Sequence, residues 1–208
     1  MPPPADIAAI ILAAGMGQRF GGDTAQPKIL APLAGKPLIR HVGEAAAASQ
    51  AHPIIAVLGP AAEKAEAALA GLDANCVTNK DPGAGLSHSL ALGLANVPEQ
   101  CAGAIILLAD MPRISAAIID RLIAAFKDAP QPPHAVIPTR AGRRGNPVLL
   151  GRAIFADAMK IAGDRGARAL FEGATQGIIT CAIEDEAIEI DVDTQESLAR
   201  LARQMQEP

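Results

Sequence analysis

The sequence predicts an α/β fold: a mostly parallel sheet with helices packed on both faces, in three layers. Two observations carry this. Short apolar runs alternate with Ala-rich stretches of helical character, and strand-helix-strand repetition of that kind builds right-handed crossovers onto one sheet. Half of the 208 residues are apolar and 19% are charged, enough to build a core buried on both sides. Length gives one domain over residues 1–208, with 1–6 as an extended or disordered start.

The elements follow in order. Ile7–Leu12, Pro53–Leu58, Ala74–Thr78, Ala104–Leu108 and Ala135–Pro138 read as buried strands. Leu38–Ser49, Ala61–Ala70, Ser87–Leu94 and Ser115–Phe126 read as helices between them. From Pro138 the rhythm breaks. Pro147–Leu150, Ile178–Ala182 and Ile188–Val192 read as further strands, with short helices near Ala153–Met159 and Ala167–Phe171. Thr194 caps a last helix running to Met205, and Pro130–Pro133 is a rigid turn.

Composition excludes several classes. Eighteen basic against 22 acidic residues leave a net charge of −4, which argues against a nucleic-acid coat or a polybasic membrane binder. Aromatics are 2%, with no Trp or Tyr, so stacking platforms for single strands are missing. The three cysteines, Cys76, Cys101 and Cys181, form no Cys-x-x-Cys pair and fit a reducing cytoplasm. No apolar run reaches the roughly 18 residues of a membrane span.

Open α/β sheets bind ligands at the carboxyl ends of their strands, so the loops after the strands carry the functional reading. After the first strand comes a small-residue loop, Leu12, Ala13, Ala14, Gly15, Met16 and Gly17, followed by Arg19 and later Lys28. Small residues let backbone N–H groups approach a phosphate, and the two basic side chains add charge for it. The loop is neither a Walker loop nor Gly-x-Gly-x-x-Gly, which lowers a dehydrogenase reading. Its glycines Gly21 and Gly22, with small polar residues to Gln26, suit a lid. After the third strand, Asn79, Asp81, Gly85, Ser87 and Ser89 precede or open a helix, a place suited to reading a base or sugar. Ser87 is equally suited to be that helix's cap.

After the fourth strand, Asp110 directly follows the run ending Leu108-Ala109. A carboxylate there needs solvent, a cap or a cation, and Mg²⁺ favours one or two carboxylates plus phosphate oxygens. Near the end of the chain, strand alternation puts Asp191 and Asp193 on one face; Asp193, nearer the strand's end, is the better second metal ligand.

Taken together, Leu12-Ala13-Ala14-Gly15…Arg19…Lys28, Gly85-Leu86-Ser87-His88-Ser89-Leu90, Asp110-Met111-Pro112, Gly145-Asn146-Pro147, Gly163-Asp164-x-Gly166-Ala167-Arg168 and Asp191-Val192-Asp193-Thr194 resemble the MobA-like nucleotidyltransferases, and among them the molybdenum cofactor cytidylyltransferases. The resemblance runs from residue 7 to about residue 200. It implies a Rossmann-like, GT-A-like nucleotidyltransferase fold. It implies attack by an acceptor phosphate on the α-phosphorus of CTP, with release of pyrophosphate and formation of a cytosine dinucleotide cofactor from a phosphorylated, molybdenum-bearing pterin. By the family pattern, Arg19, Lys28 and Asp110 are catalytic; the backbone of Ala14 to Gly17 with Arg19 and Lys28 holds the triphosphate. Ser87, Ser89 and the Ala13-Ala14 backbone read the base. Asp110 and Asp193 hold Mg²⁺, or Mn²⁺ in its stead. Gly145, Asn146, Gly163, Asp164, Gly166 and Arg168 face the acceptor.

The implied partners are the two small substrates and, transiently, a molybdoenzyme or its maturation factor; nucleic acid and membrane are not among them. Ala13-Ala14, where guanylyltransferases of this family show Gly, favours CTP over GTP. The Pro27-Lys28 step, set farther from Arg19 than in the cytidylyltransferases, is similar to the methylerythritol-phosphate cytidylyltransferases. The alternatives are the same fold acting on a sugar phosphate or phosphorylated alcohol, and a nucleotide-binding chaperone without catalysis.

Overall fold

The computed structural model describes residues 6–15, 20, 27–163, 166–171 and 177–205, with the side chains of 168 and 169 excepted. Met16, Gly17, Arg19 and Asp164, the side chain of Arg168, and the glycine-rich segment 21–26 therefore lie outside the described residues.

The chain opens on strand β1, Ile7–Ala13, every residue of which is buried. A turn of 3-10 helix at Lys28–Leu30 follows. Then comes a two-stranded ribbon, β2 (Pro32–Leu33) and β3 (Lys36–Pro37), turned through Ala34 and Gly35, both at positive φ. Helix α1, Leu38–Ala47, leads into β4, Ile54–Leu58; α2, Ala62–Ala68, leads into β5, Ala74–Thr78. Helix α3, Leu86–Ala95, precedes β6, Gly103–Leu108, and α4, Ala116–Lys127, precedes β7, Ala135–Arg140. The chain continues through β8 (Arg143–Arg144), β9 (Val148–Gly151), the short α5 (Phe155–Ala158), β10 (Ile178–Ala182) and α6 (Gln195–Gln204).

Among the described residues the main sheet has eight strands, ordered β10-β7-β9-β6-β1-β4-β5, with β8 beside β7. β1 pairs in parallel with β4 and β6, β4 with β5, and β7 with β10; β9 runs antiparallel between β6 and β7. The sheet is thus mostly parallel, as the alternation implies, and the late break in rhythm is the antiparallel insertion of β9.

β1 shows why the middle of the sheet is apolar throughout. Its odd residues Ile7, Ala9, Ile11 and Ala13 join a core with Ile39 and Val42 of α1 and Ile119 and Leu122 of α4. Its even residues Ala8, Ile10 and Leu12 join a second core with Leu90 and Leu94 of α3 and Phe155 of α5. A strand covered on both faces reads as a continuous apolar run rather than an alternating one. A third, smaller cluster, Leu33, Leu38, Val192 and Leu201, docks α6 and the end of the chain beside α1.

One expected strand is not formed. Ile188–Val192 is instead a turn of 3-10 helix at Glu186–Glu189 followed by irregular chain. The Asp185 carboxylate accepts from Ala187 N–H and caps that turn. The segment's ladder groups go elsewhere: Asn146 N–H donates to Ile188 C=O at 2.9 Å, and Val192 N–H donates to Asp110 C=O at 2.8 Å. The inference that Asp191 and Asp193 share one strand face therefore fails, although Val192 is buried and Asp193 still reaches the sheet's end.

Candidate active site

The carboxyl ends of β1 and β6 are tied together by one hydrogen bond, Ala109 N–H to Leu12 C=O at 3.1 Å. This puts Asp110, the first polar residue after β6, beside the loop that leaves β1. Lys28 arrives from the other side. Its neighbour Ile29 is buried in the core, which anchors the 3-10 turn and leaves the Lys28 stem to run back toward the sheet. Asp193 comes from a third direction, held between buried Val192 and Thr194, whose side chain accepts from Ser197 N–H in a reciprocal cap of α6.

These three residues, far apart in sequence, converge. The Lys28 ammonium donates to Asp110 Oδ2 at 2.6 Å and to Asp193 Oδ1 at 3.1 Å. Burial alone pulls the ammonium toward neutrality; the Asp110 and then the Asp193 carboxylates outweigh it and hold its pKa above the ordinary lysine value. Asp191 stands in the same field. Its carboxyl is pushed up by burial, then by Asp193 and Asp110. Asp110 Oδ1 is buried and has no hydrogen-bond partner among the described residues.

An orphaned carboxylate oxygen beside a second carboxylate fits a hard divalent cation. Among the described residues no group of three or more His, Cys, Asp or Glu could hold a metal, so those residues offer a carboxylate pair rather than a full cage. That incomplete set suits Mg²⁺ or Mn²⁺ finished by phosphate oxygens.

Others of the expected residues lie where the chain leaves β1 and β5, at the same end of the parallel strands. Leu12, Ala13 and Ala14 are buried and Gly15 is exposed. Asn79 is buried; its amide donates to Ser89 Oγ at 3.0 Å, and its Oδ1 accepts from Asp81 N–H at 2.8 Å. Gly85, at φ 90°, is the residue before α3, and the helix starts at Leu86, one residue earlier than Ser87. Only glycine takes that angle without strain. Ser87 is therefore inside the first turn and is not the cap; its N–H donates to Gly163 C=O at 3.2 Å. That bond brings Gly163 onto α3, and a Cβ on Gly166 would sit 3.1 Å from Leu86 at the start of the same helix. The structure thus joins the loop expected to read the base to the loop expected to face the acceptor. A cavity of about 790 Å³ opens at the ends of β4 and β5, lined in part by Gly59, Thr78, Asn79 and Lys80.

Gly145 and Asn146 sit at the Ile188 turn, and Gly145 is buried. The neighbouring arginines are engaged: Arg143 pairs with Glu189 at 2.9 Å, and Arg144 donates to Phe171 C=O at 3.3 Å. Sequence reasoning missed Gly59. Its Cβ would lie 2.9 Å from both Cα and O of Ala14, so the β4 loop is pressed against the backbone of the β1 loop. The signal was present in Leu58-Gly59-Pro60, a glycine at the end of a buried strand.

Residues 9–178 match the MobA-like NTP transferase domain. The chain belongs to this family. The chain is similar to the bifunctional protein GlmU of Legionella pneumophila, 34% identical over 145 residues, and to the bifunctional enzyme IspD/IspF of Rhodospirillum rubrum, 33% identical over 156 residues. The matches cover 70% and 72% of this chain but only 30% and 39% of those longer proteins. In structure it is similar to Rv0371c of Mycobacterium tuberculosis H37Rv, with a TM-score of 0.83 and 24% identity, covering 96% of this chain and 99% of that one. A second structure of that protein, in complex with manganese, gives a TM-score of 0.79 at 26% identity, over 95% of this chain and 98% of that one. The fold expected of a nucleotidyltransferase is the fold observed. Among the described residues no helix of this family member is long and apolar enough to cross a membrane.

Proposed function

We propose that this chain is a CTP:molybdopterin cytidylyltransferase. The observation that carries the reading is the Lys28–Asp110–Asp193 cluster, with one Asp110 oxygen unpartnered among the described residues, at the joined ends of β1 and β6. A terminal phosphate oxygen of the acceptor bonds to the α-phosphorus of CTP. The bond from that phosphorus to the α–β bridging oxygen breaks, and pyrophosphate leaves. Transfer of this kind asks the protein mainly to position the reactants and balance charge. Asp110 and Asp193 would hold Mg²⁺, or Mn²⁺, whose charge stabilises the phosphate oxygens when bound. The manganese complex of Rv0371c supports a divalent metal in this fold.

Lys28 supplies the positive charge the chain itself brings to the triphosphate. Asn79, Ser87 and Ser89 shape the end of the nucleoside pocket, and the Ala13-Ala14 backbone supports a pyrimidine over a guanine. Gly145, Asn146, Gly163 and Gly166 border the acceptor side. A cytoplasmic enzyme meeting a molybdoenzyme or its maturation factor only to pass on product is part of the same proposal; the three cysteines are free thiols, which supports it.

The test is thermal melting with CTP, GTP, UTP and ATP, each with and without Mg²⁺. A nucleotide at 100 times its Kd adds about 2.7 kcal/mol, or roughly 5–10 °C for a chain of this size. A Mg²⁺-dependent rise with CTP alone, followed by pyrophosphate release on adding molybdopterin, is the expected result. Release with a sugar 1-phosphate and none with molybdopterin would replace the acceptor. Gly59→Ala should raise the KM for CTP about tenfold, equivalent to about 1.4 kcal/mol, because the new methyl displaces Ala14. An unchanged KM in initial-rate kinetics would remove Gly59 from the site.

A further inference from the structure

Lys28 sits where a metal cation would. Its side chain is only 14% exposed, and it contacts one oxygen of each of the two carboxylates assigned to the metal. The remaining Asp110 oxygen is buried and has no hydrogen-bond partner among the described residues. Among the described residues this one ammonium meets the negative charge of two carboxylates. A divalent cation at those oxygens would balance it better, but the two cations would then stand within a few ångströms of each other and repel. A lysine has a flexible four-carbon stem and can swing away where a planar guanidinium bound in a fork cannot easily do so. Ile29 holds the backbone in the core, so the movement would be confined to the Lys28 side chain.

We propose that Lys28 is a resident counter-ion of the Asp110–Asp193 pair and competes with the divalent cation for it. The proposal rests on the reading of those carboxylates as the metal-holding pair. Metal alone must displace an ion pair and binds weakly. Nucleotide phosphates give the displaced ammonium a new partner, so nucleotide and metal strengthen each other's binding by the same factor. Lys28 thereby offsets part of the carboxylate charge before metal arrives and makes loading with metal and nucleotide cooperative.

The experiment is titration with Mn²⁺, without nucleotide and then with CTP, following free Mn²⁺ by electron paramagnetic resonance. Lys28→Gln should bind Mn²⁺ alone at least about tenfold more tightly than the wild type, a difference of about 1.4 kcal/mol. Its coupling between Mn²⁺ and CTP should shrink, and Lys28→Arg should restore weak binding of the metal alone. Equal or weaker Mn²⁺ binding by folded Lys28→Gln, with the wild type still taking up Mn²⁺ in the presence of CTP, overturns the competition and leaves the metal reading standing. No uptake by either protein even with CTP overturns both. Should Lys28→Gln fail to fold, the wild type decides. The ε-carbon resonance of Lys28 in lysine-labelled protein should shift on saturation with Mg²⁺, and a resonance that stays in place overturns the proposal.

Discussion

Asp110→Asn is expected to lower turnover by about 100- to 1,000-fold, the loss that follows removal of one preorganised charge stabiliser, roughly 2.7–4 kcal/mol of barrier. The substitution keeps the size of the side chain and removes its charge. The backbone contacts that place it are independent of the side chain: its carbonyl still accepts from Val192 N–H, and the preceding Ala109 N–H still donates to Leu12. Lys28 retains Asp193 as a partner at 3.1 Å. Stability should change little, because the lost ion pair is offset by relief among three neighbouring acids, Asp110, Asp191 and Asp193. The measurement is pyrophosphate release under saturating substrates, beside a melting curve. On the proposed reading, in which Asp110 and Asp193 serve one cation, the Asp110→Asn, Asp193→Asn double variant should fall short of the product of the two single losses. A folded Asp110→Asn variant that keeps more than a tenth of wild-type turnover would take Asp110 out of the catalytic centre.

The parts of this fold that the sequence announced are those whose local pattern and tertiary role agree. β1, β4 and β6 are apolar runs closed by loop signals, and each lies inside the sheet; Ala74–Thr78, expected to be buried, is a strand but stands at the sheet's edge with its residues half-buried or exposed. Ile188–Val192 shows the opposite case. Its apolar alternation is real, and Ile188 and Val192 are both buried, but their backbone groups bond to Asn146 and Asp110 instead of a neighbouring strand. Nothing within the segment states that choice. The turns Ala34-Gly35 and Ala141-Gly142 carried small-residue signals for the short ribbons that went unread, and in both an alanine takes positive φ, which a sequence does not advertise.

The site was legible in the same uneven way. Lys28, Asp110 and Asp193 each stood out by chemistry at a strand or loop end, yet they lie 82 and 165 residues from one another along the chain, counting from Lys28. That a lysine bridges both carboxylates is a property of the folded arrangement. So is the bond from Ser87 to Gly163, which makes two separate sequence patterns into neighbours.

Gly145→Val is expected to damage stability and the metal pair together. A Cβ at this position would stand 2.7 Å from the carbonyl oxygen of Ile188 and 2.8 Å from two of its side-chain carbons. Because one obstacle is backbone, no rotamer change relieves the overlap; the 186–189 turn has to move away from the sheet. Overpacking of this kind costs about 1–3 kcal/mol, and each kcal/mol lowers Tm by roughly 2–4 °C at this length. The displaced turn leads within four residues to Val192, whose N–H is bonded to Asp110, and then to Asp193. Displacing it draws the second carboxylate from Lys28 and Asp110. Gly83→Ala is the control, since its Cβ would meet only Asp81 Oδ1, at an ordinary 3.6 Å. The expected signature is a lower melting temperature and a Mn²⁺ affinity, measured with CTP, at least about tenfold weaker, equivalent to about 1.4 kcal/mol. A loss of stability with Mn²⁺ binding intact would mean that the Ile188 turn and Asp193 move independently, and that Asp193 is positioned by the cap of α6 alone.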